Sequence, residues 1–137
     1  MEDKKTTPVE REPKRESSFV VEFPKESSIE PWFVRSIDRP KLVDLKWQNI
    51  EIEFIDVIAP STSEALYKFV LFLQTQTENK ILFSFYIKSI DPTGLEVEKW
   101  LINVAEVPLI DFGKYDYGDS KMQTCKMIVK PFSCIIV

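Results

Sequence analysis

The run Leu45 to Ile58, LKWQNIEIEFIDVI, is the longest alternation of apolar and polar residues in the chain and constrains the fold more than any other segment. Successive side chains of a strand point to opposite faces, so Ile50, Ile52 and Phe54 fall on one side and Asn49, Glu51 and Glu53 on the other. One side requires a core; the acidic side requires water, because carboxylates stay exposed unless paired. That acidic side reads as an ordinary solvated sheet face or, more sharply, as the wall of an aqueous channel.

Other segments repeat the β pattern. Ser18 to Phe23 (SFVVEF) gives a first strand closed by Pro24 with Ser27 and Ser28, and Trp32 to Ile37 (WFVRSI) gives a second. Lys80 to Ile90 is apolar on both sides, with Ile81, Phe83, Phe85 and Ile87 opposite Leu82, Tyr86 and Ile90. The stretch after it repeats this, with Leu95, Val97 and Leu101 on one side and Trp100, Ile102 and Val104 on the other. Strands of this kind ask for a core on one face and a partner on the other. Met122 to Val137 supplies the last strand, broken at Pro131, whose missing N–H implies an edge or a bulge. The apolar end Ile135-Ile136-Val137 is expected in a sheet or a subunit contact.

The one helix is announced by Ser61-Thr62-Ser63-Glu64, which has the spacing of a capping box, with Glu64 placed to reach back to the N-cap amide. Leu66, Phe69, Val70 and Leu73 recur at helical spacing, so residues 62–74 should lay one apolar stripe on a sheet. The fold expected is mostly β, a small antiparallel barrel or sandwich of two packed sheets with one flanking helix. With 137 residues this is a single domain, 18–137, preceded by a charged arm, 1–17, that alone has too little to bury for a fixed structure.

Composition removes several functions. The formal net charge of −4 offers no footprint for gripping phosphates. The absence of His removes the commonest general base and transition-metal ligand. Cys125 and Cys134 lie in an apolar run without metal-ligand spacing, so they read as structural thiols. No Gly-rich phosphate cradle, nucleophile motif or dinucleotide fingerprint is present. No catalytic, cofactor-binding or metal-binding residue is therefore assigned. Neither a secretory leader nor a run of ~20 apolar residues is visible, so the chain is expected to be soluble, without a membrane anchor, and made in a reducing compartment.

The segment with most to say about function is Asp91 to Tyr117. Asp91-Pro92-Thr93-Gly94 reverses the chain, with Pro at a φ near −65° and Gly where φ is positive. Asp111, Asp116 and Asp119 could be imagined as an acid–base pair or a calcium site, but Asp near Gly is ordinary turn chemistry and the spacing fits no ordered ligand loop. Asp91-Pro92-Thr93-Gly94, Val97-Glu98-Lys99-Trp100, Ile110-Asp111-Phe112-Gly113 and Tyr115-Asp116-Tyr117 together resemble the C-terminal half of the tail tube proteins of contractile-tailed, T4-like bacteriophages. That family is related to the tube proteins of type VI secretion systems. The match is most specific over 91–117, and the arm has no counterpart in it.

The resemblance implies a structural protein of the virion tail, assembled in the host cytoplasm, whose hexameric rings stack into a hollow conduit inside a contractile sheath. Its partners would be further copies of itself, the sheath and the baseplate, with DNA passing through unbound. On this reading Asn49, Glu51 and Glu53 face the lumen, Leu82, Tyr86, Ile135 and Ile136 meet neighbouring subunits, and Trp100 and Phe112 are expected in packing. Alternatives are an initiator or terminator ring of the same fold, or the tube subunit of a phage-like injection system. A different class is a monomeric β-barrel module whose acidic face meets a basic ligand. A carboxylate hydrolase using Asp111 and Asp116 is a third reading, which their turn chemistry disfavours.

Overall fold

A computed structural model describes residues 13–15, 18–76, 78–118 and 121–137. Asp119 and most of the arm lie outside the described residues. Among the described residues there are ten strands, β1 (Phe19–Glu22), β2 (Val34–Ile37), β3 (Leu42–Val43), β4 (Lys46–Trp47), β5 (Ile50–Ile55), β6 (Phe83–Ile90), β7 (Glu96–Val104), β8 (Leu109–Asp111), β9 (Thr124–Val129) and β10 (Pro131–Ile136), and one α-helix, α1 (Thr62–Gln74). A first sheet has the order β1-β6-β7-β10, a second β2-β5-β9-β8, and β3 pairs only with β4. All pairings are antiparallel. The architecture is thus the expected two-sheet sandwich with one helix.

Alternation builds the core. Ile50, Ile52 and Phe54 of β5 are wholly buried, facing Phe85, Ile102 and Val104 from the first sheet, with Met127 and Val129 of β9 beside them. Removing a side chain the size of Phe54 from water contributes about 1.5–3 kcal/mol. An aromatic layer spans the sandwich: Phe23 stacks on Phe85 at 5.1 Å, and Phe69 of α1 meets Phe83 edge-on at 5.0 Å. Leu66, Phe69 and Leu73 bury the helix stripe, with Val70 half-buried beside them.

The helix begins as read, but only half of the capping box forms. Ser61 Oγ accepts the Glu64 N–H at 3.2 Å, while the Glu64 carboxylate turns outward to Lys68 Nζ at 2.7 Å. Both partners are exposed one turn apart, and that ion pair replaces the reach back to the N-cap.

Three expectations are corrected. The run from Leu45 to Ile58 is not one strand: Asp44 and Leu45 adopt positive φ, 51° and 63°, and reverse the chain so that Lys46 and Trp47 pair with Val43 and Leu42. Two central residues at positive φ match the twist of a tight hairpin, although Asn-Gly is the usual sequence for it. The outer side of β6 is also less apolar than the pattern suggested. Ser84, Tyr86 and Lys88 occupy it, opposite Asn103, Leu101 and Lys99 of β7. Ser84 Oγ donates to Asn103 Oδ1, whose amide Nδ2 donates to Ser133 Oγ at 2.9 Å, so a polar row crosses the face. Finally, Met122 to Val137 forms two strands in different sheets, and Pro131 opens β10 at an edge with a register shift before Ser133.

Candidate assembly surfaces

The motif stretch folds into turns that its own carboxylates hold. Asp91 Oδ1 accepts the Thr93 hydroxyl at 2.6 Å and the N–H groups of Leu95 and Thr93 at 2.8 and 2.9 Å, closing the β6–β7 hairpin. These donors, the Thr93 hydroxyl first, hold the Asp91 carboxyl below its ordinary range. Gly94 takes φ +90°, as the turn requires. Asp111 Oδ1 and Asp116 Oδ1 likewise accept the N–H of Gly113 and Gly118, at 2.8 and 2.9 Å. Gly113 has φ +83°, and a Cβ there would come within 2.8 Å of the Thr124 carbonyl oxygen. The aspartates Asp91, Asp111 and Asp116 therefore serve backbone geometry.

Beyond β8 the stretch projects. Tyr115 is 96% exposed and Tyr117 wholly so. Phe112, expected to pack, is 39% exposed at the base of this loop, where its carbonyl accepts from Gln123 Nε2 at 3.2 Å. The ladder that holds Ile110 against the core ends with β8 at Asp111 and does not extend to Phe112. Trp100 does pack: it is half-buried against the core and meets Trp47 of the small hairpin edge-on at 6.2 Å.

Beside Trp100 stands Glu98, whose side chain is 10% exposed. It accepts from Lys14 at 2.8 Å, from Arg39 at 3.1 Å and from the Trp100 indole N–H. Lys14 foremost, then Trp100 and Arg39, hold its carboxyl below the glutamate range against the opposing cost of burial. One carboxylate thereby ties residue 14, the β2–β3 connection and β7 together. Sequence reasoning missed this clasp, because residues so far apart give no local signal.

The expected subunit contacts separate into three settings. Leu82 is half-buried against the chain's own core, since its N–H bonds the Val104 carbonyl at 2.8 Å and fixes it at the sheet. Tyr86 lies on the outer face of the first sheet with Lys99 Nζ 4.3 Å from its ring centre. Ile135 and Ile136 are 47% and 60% exposed on β10, an edge strand. The neighbouring hairpin adds Leu42, Val43 and Leu45, the last 90% exposed.

Glu51 and Glu53 point outward from the second sheet, with Asn49 exposed before them. Their face is not purely acidic. Lys126 Nζ lies 3.8 Å from Glu51, and Arg35 lies 3.6 Å from Glu53. The cations come from the adjacent strands β9 and β2, so the sequence of β5 alone could not show them.

The described residues contain no group of three His, Cys, Asp or Glu able to hold a metal ion. A polar cluster, Ser63 Oγ donating to Asp56 Oδ2 at 2.7 Å with Cys125 Sγ 3.5 Å away, secures the start of α1. Burial pushes the Cys125 thiol up and the Cys134 thiol up to about 11, so neither is a ready nucleophile. Among the described residues no helix is long and apolar enough to cross a membrane.

The sandwich is one that contractile injection systems use. A chain of the extended sheath–tube complex of PVC, an extracellular contractile injection system, is similar with a TM-score of 0.68 at 13% identity, covering 94% of both chains. A chain of the PVC sheath/tube terminator, also extended, gives 0.67 at 13% identity over 93% of this chain and 98% of the other. A chain of the 6-fold symmetrised baseplate of the anti-feeding prophage gives 0.57 at 12% identity over 92% and 96%. No protein-family model and no curated protein matches the chain. The likeness to these chains is one of fold, and it runs along nearly the whole chain.

Proposed function

We propose that this chain is a structural, non-enzymatic subunit of a contractile tail, in which hexameric rings stack into a hollow tube inside the sheath and genome passes through. The observation that carries it is the open first sheet. β1 and β10 are its two free edges, and the four antiparallel strands make them run in opposite directions. β10 of one copy can therefore continue the ladder beside β1 of the next. An exposed apolar edge, here Phe132, Ile136 and Val137, is a template for pairing with another chain. The sheath and baseplate are the partners this role implies, and the virion tail is its place.

Electron micrographs of the purified protein should show rings or tubes with an axial hole; a monomer at all concentrations, which a solitary binding module predicts, would sink the proposal. Similar TM-scores to chains of the sheath–tube complex and of the terminator support a second reading, an end ring of the same fold. Tubes of indefinite length separate the repeating subunit from a single closing ring. The outer face of β5 is proposed to line the lumen. Glu51→Lys with Glu53→Lys should leave rings intact yet slow DNA passage, because added cations hold phosphates; unchanged ejection kinetics would count against that placement.

A further inference from the structure

We propose that the segment Tyr115-Asp116-Tyr117 beyond β8 of one copy seats in the cleft between β1 and β2 of the next, a contact that deepens the assembly reading and rests on it. The cleft opens where the two sheets part and has a volume of about 1000 Å³, with Phe19, Ile37 and Trp100 among its apolar lining. Lys14, Arg15, Arg35 and Arg39 line it against one lining carboxylate, Asp38, which is already engaged by the Glu51 N–H at 3.1 Å. Glu98 takes up Lys14 and Arg39, and Glu53 lies near Arg35. Among the described residues four cations then stand among three carboxylates, which leaves a positive charge over an apolar floor.

Such a site suits a segment that joins a carboxylate to flat, amphipathic rings. Guanidinium groups pair with carboxylates and stack on aromatic faces, and Tyr suits interfaces because it is apolar with one polar tip. Tyr115-Asp116-Tyr117 has this make-up: both rings stand exposed, and Asp116, whose Oδ1 accepts the Gly118 N–H, is exposed between them. Its position supplies the geometry: β8 and β2 are opposite edges of the second sheet, about 14 Å apart at three inter-strand spacings. Loop and cleft are different surfaces on opposite sides of the subunit, so their contact is heterologous and repeats head to tail, closing a ring when the rotation per copy permits.

Sedimentation velocity on the full chain tests this with Asp116→Arg, with Arg15→Glu plus Arg35→Glu, and with all three changes together. These side chains are exposed, and what each variant loses within its own chain is a surface contact, the Gly118 N–H bond of Asp116 or the Glu53 pairing of Arg35, so each should unfold within a few degrees of the wild-type midpoint, which separates a lost contact from a lost fold. Each charge reversal alone should weaken self-association by about tenfold or more, and the triple variant should regain it. Wild-type protein that stays monomeric overturns the assembly reading and this contact with it. Wild-type assembly that survives either reversal undiminished, or is not regained in the triple variant, overturns this contact alone.

Discussion

Strands β5 and β10 are both six residues long and rich in isoleucine, yet their isoleucines meet opposite fates. Ile50 and Ile52 are wholly buried, whereas Ile135 and Ile136 are about half exposed. The difference lies in the neighbours. β5 is flanked by β2 and β9 and roofed by the other sheet; β10 has β7 on one side and an open edge on the other. The same apolar chemistry supports the monomer in the first place and is left for another chain in the second.

Substitutions at the two strands should separate these roles. Ile52→Ala should have the largest effect on stability, a loss of about 2–5 kcal/mol, because it leaves a cavity where the surroundings cannot collapse. Calorimetric unfolding measures it, and a loss under 1 kcal/mol would break the contrast. Glu98→Gln comes next, at about 1–2 kcal/mol, since it weakens charge-assisted bonds from three segments of the chain. Its pH signature is distinctive. The folded carboxyl is held below its unfolded value, so its contribution is full at neutral pH and is lost as pH falls through and below the ordinary glutamate range. Wild type and Glu98→Gln should therefore converge in stability on acidification, and a constant gap would show that the clasp contributes through shape alone. Ile135→Ser with Ile136→Ser should have the smallest effect on the monomer, within about 1 kcal/mol, while reducing assembly in sedimentation. A large drop in the unfolding midpoint would instead make β10 part of the core.

Glutamates divide in the same manner as isoleucines. Glu51 stands half-solvated near Lys126, while Glu98 is enclosed and gripped by Lys14, Arg39 and Trp100. Local sequence shows a carboxylate in an alternating strand in both cases. Only the distant partners distinguish a surface charge from a clasp.

The two-sheet class, the span of α1, the turn at Asp91 to Gly94 and the edge position of Pro131 are all legible in the order of residues. Each of these follows from local physics: side-chain period, the cap at Ser61, the φ freedom of Gly94 and the donor that proline lacks. Which apolar faces stay open follows from the packed fold, because exposure depends on which strands end a sheet. It set the hairpin at Asp44-Leu45, a reversal that residue type does not announce, and it sent Phe112 outward and Leu82 inward. It also gathered Lys14, Arg39 and Glu98, and it placed the Tyr115–Tyr117 loop across the sheet from a cationic cleft. Those juxtapositions come from long-range packing, which no window of sequence contains.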